Sequence, residues 1–192
     1  MTNSPRVHIY GHVSAQPMAL AEIFNATHET QPCADSEIAI FAVNPAAGID
    51  QLTIDLWAAL SDFQLPRLVV VNELEGSDSD FDDAVLLANR VFDQLVTPFL
   101  VLHNDAGDPT ALIDLQTLEI IDYTTTPISR RDSDPEHKEL VADFRSEYLE
   151  SIELAGADAF EAGLLFPAIP VVISKGIGVD IVKAFIARTA TY

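Results

Sequence analysis

Only one cysteine, Cys33, stands in the whole chain, so no internal disulfide is open to it. Positive charge is scarce too: ten Lys and Arg face thirty Asp and Glu, a formal net charge of −20. Such a surface repels phosphate backbones and anionic lipid, which argues against a nucleic-acid or membrane partner; its plain consequence is solubility. No apolar run reaches membrane-spanning length, and the segment from Met1 to Arg6 lacks the basic-then-apolar layout of a secretion signal, so a cytoplasmic location is expected. The five histidines (His8, His12, His28, His103 and His137) share no paired spacing with Cys33, so no metal ligand is assigned and Cys33 reads as a bystander thiol.

What is present is apolar patterning. A chain of 192 residues, 48% of them hydrophobic, suits one α/β domain with a sizeable core. A buried strand from Arg6 to Tyr10 runs into a helix over 18–25, with Pro17 well placed at its first position. The polar stretch 26–37 is too short for another strand and helix. The charge-free run Ile38–Val43 reads as a parallel strand covered on both faces. An amphipathic helix over 49–63, a strand over 68–71, an acidic loop over 72–79 and a helix capped by Ser79 or Asp80 and running to about Leu95 complete a βαβαβα series. That series predicts a mainly parallel sheet with right-handed crossovers.

The rhythm then breaks. Strand candidates at 99–103, 111–115 and 118–122 are joined by links so short that they must be antiparallel neighbours, a small inserted subdomain over 99–123 between the core pieces 1–98 and 124–192. The stretch 124–135, rich in Thr, Ser and Pro, reads as a surface loop. After it come a helix over 136–153, a short helix over 157–163, a core strand over 169–173 with Pro170 near its start, and a C-terminal helix over 176–188.

The turn after the first strand is where chemistry is expected. In a phosphate-binding loop, G-x-x-x-x-G-K-[S/T], backbone amides cradle phosphates, the Lys reaches the β- and γ-phosphates and the hydroxyl ligates Mg²⁺. Here Gly11 fills the first place, but Gln16, Pro17 and Met18 stand at the Gly, Lys and Ser/Thr places. Pro17 offers neither an N–H nor a cation, Met18 is a soft ligand where Mg²⁺ takes oxygen, and Gln16 brings a Cβ where glycine is favoured. Each charge-assisted hydrogen bond is worth roughly 1.5–3 kcal/mol, so losing two or three weakens triphosphate binding by a factor on the order of 10³.

Several stretches, in order, resemble the GTPase domain of translation elongation factor G. Gly11, His12, Val13, Ser14 and Ala15 resemble the start of its G-H-I-D-A-G-K-T loop. Ala46-Ala-Gly-Ile-Asp-Gln51 with Trp57 resembles its A-x-x-G-V-x-x-Q-T helix start. Pro66-Arg67 through Asn72 resembles the strand that leads into its guanine motif, N-K-x-D. Ile113-Asp114-Leu115 resembles its inserted G-V-I-D-L hairpin. Pro170-Val-Val-Ile-Ser174 and Gly178-Val-Asp180 resemble its closing strand and helix.

The resemblance implies a P-loop NTPase-like α/β sheet flanked by helices, with a small antiparallel insert. It also implies nucleotide contacts at Gly11, His12, Val13, Ser14, Ala15, Asn72, Glu75 and Ser174. The departures are as specific. The guanine motif reads Asn72-Glu-Leu-Glu75, placing Glu73 at the Lys and a carboxylate one methylene longer at the Asp. No glycine has an Asp three residues before it, so the D-x-x-G that binds Mg²⁺ and positions water is missing, and too few residues precede Ile38 for both switch segments. Hydrolysis needs all of these.

The expectation is a non-catalytic pseudo-GTPase serving as an interaction or vestigial module, with no catalytic residue, no metal and no cofactor. The alternative is an elongation factor-like protein that keeps weak binding of GTP with Mg²⁺. Loss of a neighbouring strand also predicts that the strand from Arg6 to Tyr10 becomes an edge, either covered by residues 27–37 or paired with a protein partner, a homodimer being the simplest.

Overall fold

The computed structural model describes residues 5–76 and 80–190 of the chain. The expected first strand and helix form as β1 (Val7–Gly11) and α1 (Pro17–Phe24), with Pro17 at the start of the helix. Two residues, Thr27–His28, then make a minimal strand β2, and Ile38–Val43 makes the fully buried β3. Helix α2 (Gln51–Ser61) leads to β4 (Arg67–Val71).

Asp80 caps α3 (Phe81–Ala88) by accepting from the amides of Asp82 and Asp83; the alternative cap, Ser79, lies outside the described residues. The helix stops well short of the expected Leu95, and Leu95–Val96 forms a short strand, β5, instead. Four antiparallel strands follow: β6 (Phe99–His103), β7 (Pro109–Asp114), β8 (Glu119–Asp122) and β9 (Ser129–Asp132). The chain ends with α4 (Pro135–Leu140), α5 (Ala142–Ala155), β10 (Phe166–Pro170) and α6 (Val179–Thr189).

The main sheet has six strands in the order β2-β1-β3-β4-β10-β5, all of its pairings parallel, and helices flank it. The second sheet runs β6-β7-β8-β9. This is the α/β architecture expected from the alternating pattern, and it has one centre. Tyr10 stacks on Phe41 at 5.1 Å, Phe41 meets the edge of Trp57 at 4.9 Å, and Trp57 stacks on Phe92 at 4.4 Å. Arg67 is buried among these rings, its guanidinium 4.3 Å from both Trp57 and Phe166. Its charge is met by Asp93 at 3.3 Å, and Asp93 also accepts from the Trp57 indole at 2.9 Å. A buried cation needs such a partner, which is why Arg67 can occupy a core strand.

Several expectations are corrected. The stretch 124–135 is not only a loop: Ser129–Asp132 pairs with β8, so the antiparallel sheet continues past Tyr123. All four residues of β9 are exposed, and a strand with no apolar face leaves no period-two signal. The expected helix over 136–153 breaks at Val141, and 157–163 forms turns rather than a helix. The last core strand begins at Phe166, which puts Pro170 at its end, where a missing N–H breaks no ladder bond. Finally, the strand from Arg6 to Tyr10 is not a bare edge. β2 pairs in parallel with β1, Glu29 N–H donates to Ile9 O at 3.0 Å, and Glu37 N–H donates to Arg6 O at 2.9 Å. Of the two expected outcomes, covering by residues 27–37 is present within the chain itself. Among the described residues, no helix is long and apolar enough to cross a membrane.

Candidate functional site

The residues singled out by sequence gather at the carboxyl ends of β1, β3, β4 and β10, where open parallel sheets place their ligand sites. Gly11 closes β1 with φ +145°, and a Cβ added there would lie 2.5 Å from Ala42 O. Only glycine allows β1 and β3 to approach so closely at this turn. The chain then makes one tight turn, Val13–Ala15, before α1.

That turn uses its own amides. Ser14 N–H donates to His12 Nδ1 at 3.2 Å, Ala15 N–H to His12 O at 2.9 Å, and Gln16 N–H to Val13 O at 3.0 Å. His12 Nδ1 also lies 2.8 Å from Ser14 Oγ. Two asparagines hold the turn from beneath: Asn44 Nδ2 donates to Ser14 O at 2.8 Å, and Asn72 Nδ2 donates to Ala15 O at 3.2 Å. Asn72, only 1% exposed, is thereby a brace for the loop. By contrast Val13 and Met18 are 76% and 68% exposed and cover nothing.

Gln16 occupies the left-handed region at φ 53°, ψ 46°, the conformation that favours glycine, so the backbone demand expected at this position is met by a side chain that tolerates it less well. Its side-chain amide donates to Glu73 Oε1. Glu73, itself at φ 62°, therefore reaches from the end of β4 back over the loop. The carboxylate also accepts from Asn72 Nδ2 at 3.4 Å.

The other half of the site is built from side chains. Ser174 Oγ donates to Glu75 Oε2 at 2.9 Å, and Lys175 Nζ lies 3.6 Å from Glu75 Oε1. Lys175 also donates to Pro109 O at 3.2 Å, tying this corner to the antiparallel sheet. The following turn is fixed by Gly178, where a Cβ would meet Pro170 O at 2.0 Å. Helix α6 then presents Asp180, which accepts from the Tyr123 hydroxyl at 2.6 Å and pairs with Arg130 at 3.7 Å. Burial above all, and then the Asp180 carboxylate, push the Tyr123 phenol well above its usual range.

All eight expected positions thus lie in two adjoining groups: Gly11, His12, Val13, Ser14 and Ala15 with Asn72, and Glu75 with Ser174. Sequence reading missed the contributions of Asn44, Gln16 and Lys175 to these groups. Asn44-Pro was read as an ordinary turn, and nothing in its spacing says that it braces a loop thirty residues earlier.

No family model matches the chain. It is 26% identical over 165 residues to an elongation factor G-like protein of Mycobacterium tuberculosis, an alignment covering 74% of this chain and 23% of that protein. A mitochondrial ribosome-releasing factor 2 of Drosophila sechellia is 28% identical over 92 residues, covering 47% of this chain and 13% of the relative. The chain therefore spans less than a quarter of the length of these curated relatives. A crystal structure of a Thermus thermophilus protein matches 80% of this chain and 26% of its own with a TM-score of 0.66 and 23% identity, a likeness of fold. The fold and these low-identity matches together support an elongation factor G-related domain.

Proposed function

We propose that this domain is a non-catalytic relative of the elongation factor G nucleotide domain, kept as a scaffold for contact with another protein in or around translation. One observation carries the reading: the amides of Ser14, Ala15 and Gln16, which a phosphate would need, are already bonded within the turn. Around them, Pro17 has no N–H, Met18 offers no hard oxygen, and the Glu73 carboxylate leans over the loop through Gln16. A triphosphate would meet an anion where it needs a cation, so the residues present do not fit GTP with Mg²⁺.

A second reading, weak guanine nucleotide binding, rests on the Glu75 and Ser174 pair. That contact leaves a carboxylate and a backbone turn facing the place where a base would sit. Isothermal titration of the whole chain with Mg²⁺-GTP and Mg²⁺-GDP separates the two. The pseudo-GTPase reading expects no binding tighter than roughly 10 µM; tighter binding would establish the second instead.

A further inference from the structure

Away from the nucleotide-side residues, the covering of β1 brings together three side chains of unlike chemistry. An imidazole nitrogen of His8, Cys33 Sγ and a carboxylate oxygen of Asp35 all lie within 4.8 Å of one another. His8 belongs to β1, whereas Cys33 and Asp35 come from the segment that folds back over it. The geometry points to a zinc-type transition-metal site in which this segment is stapled to β1 by His8, Cys33 and Asp35.

The donor set itself selects the class of ion. A thiolate, an imidazole and a carboxylate suit Zn²⁺, whereas Mg²⁺ takes oxygen alone. In a tetrahedral site with bonds of about 2.0–2.3 Å, ligand atoms sit about 3.3–3.7 Å apart, so closure needs a contraction of roughly 1 Å. His8 and Cys33 are half-buried, while Asp35 is exposed, so its side chain is the one that can make the larger move. Around them the frame is already set: Cys33 N–H donates to the Tyr10 hydroxyl at 3.2 Å, Ser36 N–H donates to Cys33 O at 3.3 Å, and Arg6 Nε donates to Asp35 O at 2.7 Å.

Ser36 Oγ lies 2.6 Å from His8 Nδ1, the kind of outer contact that fixes the tautomer and orientation of a ligating ring. Burial first, and then the carboxylates of Glu29 and Asp35, push the Cys33 thiol up, against a smaller lowering by the Tyr10 hydroxyl, so a metal at the sulfur takes the place of its proton. The competing cation is Arg6, 3.9 Å from Asp35 Oδ2 and 3.8 Å from Glu37 Oε2. At these distances it is a loose competitor for the Asp35 carboxylate.

The test is titration of the reduced, chelator-stripped chain with Zn²⁺ against a competing indicator, repeated with Co²⁺ to read the thiolate-to-cobalt absorption band. One Zn²⁺ per chain is expected, with a dissociation constant below about 1 µM and no displacement by millimolar Mg²⁺. Cys33→Ser should abolish the cobalt band and weaken Zn²⁺ by more than about tenfold, and Asp35→Asn should weaken it as well. Circular dichroism checks that each variant is folded. Should Cys33→Ser not fold, the wild-type band decides alone: its absence overturns the site. Displacement by Mg²⁺, or equal Zn²⁺ binding by folded Cys33→Ser, also overturns it, because either outcome is what diffuse attraction to a surface of net charge −20 would give.

Discussion

The two halves of the candidate site are closed in different ways. On the loop side, backbone amides are consumed by the turn itself, and the turn is braced by Asn44 and the buried Asn72. On the opposite side, Glu75, Ser174 and Lys175 meet through side chains that water already reaches. A backbone closure changes only if the turn refolds, whereas a side-chain closure reverses by rotation about single bonds. The difference teaches which half resists change more: replacing Pro17 alone would leave the amides of Ser14, Ala15 and Gln16 bonded within the turn.

The largest effect is expected where the rigid half meets the sheet. Gly11→Ala sets a Cβ 2.5 Å from Ala42 O at φ +145°, a clash and a backbone strain together. It should lower stability by about 3 kcal/mol, read as a fall in the urea midpoint at unchanged slope. A harmless substitution would mean that β1 and β3 can separate at this turn, and the loop side would then be as adaptable as the other.

Next comes the brace. Asn72→Ala removes the donor to Ala15 O and leaves that carbonyl beside an apolar methyl. A loss of about 1–3 kcal/mol is expected, with the core otherwise intact because the Asn72 backbone keeps its bond to Val43 O at 2.9 Å. Its measurement by chemical denaturation sharpens the comparison: the same residue that would face a nucleotide is, in this chain, a stabilising strut.

A smaller, pH-dependent effect concerns how the flexible half is anchored. The folded state holds the Tyr123 proton above the ordinary phenol range, so between the two values the folded chain binds more protons than the unfolded one. Stability from this contact is therefore complete below pH of about 10 and declines as pH rises further. Tyr123→Phe should flatten that alkaline decline in denaturation curves taken across the range. An unchanged slope would assign the decline to other groups and leave the seat of α6 to Arg130 and packing.

How far the sequence foretold this molecule depends on which force wrote each part. Ile38–Val43 was legible to the residue because a charge-free apolar run has only a buried parallel strand to form. Gly11 was legible as a turn, and Pro17 as a helix start, because each restricts its own backbone. Thr27–His28 and Ser129–Asp132 were not, since neither carries an apolar face and both are strands only because a neighbour offers free ladder bonds. The site followed the same rule. The departures of Gln16, Pro17 and Met18 from the phosphate-loop pattern could be read locally, but the contact of Gln16 with Glu73 and the meeting of His8 with Cys33 come from chain segments that only folding joins.

The smallest effect belongs to Glu75 and Ser174. Their hydrogen bond is of ordinary length, and Glu75 is about half exposed, its side chain retaining 48% of its accessible surface, so water competes for the atoms involved. Exposed pairs of this kind contribute at most about 1 kcal/mol, and Glu75→Gln or Ser174→Ala should each change stability by less than about 0.5 kcal/mol. A double-mutant cycle isolates the pair from the separate contact of Lys175 with Pro109. Coupling below about 0.5 kcal/mol would keep this half of the site mobile and available to a ligand or partner. Coupling above about 1 kcal/mol would mean that it is locked as firmly as the loop, and the contrast between the two halves would disappear.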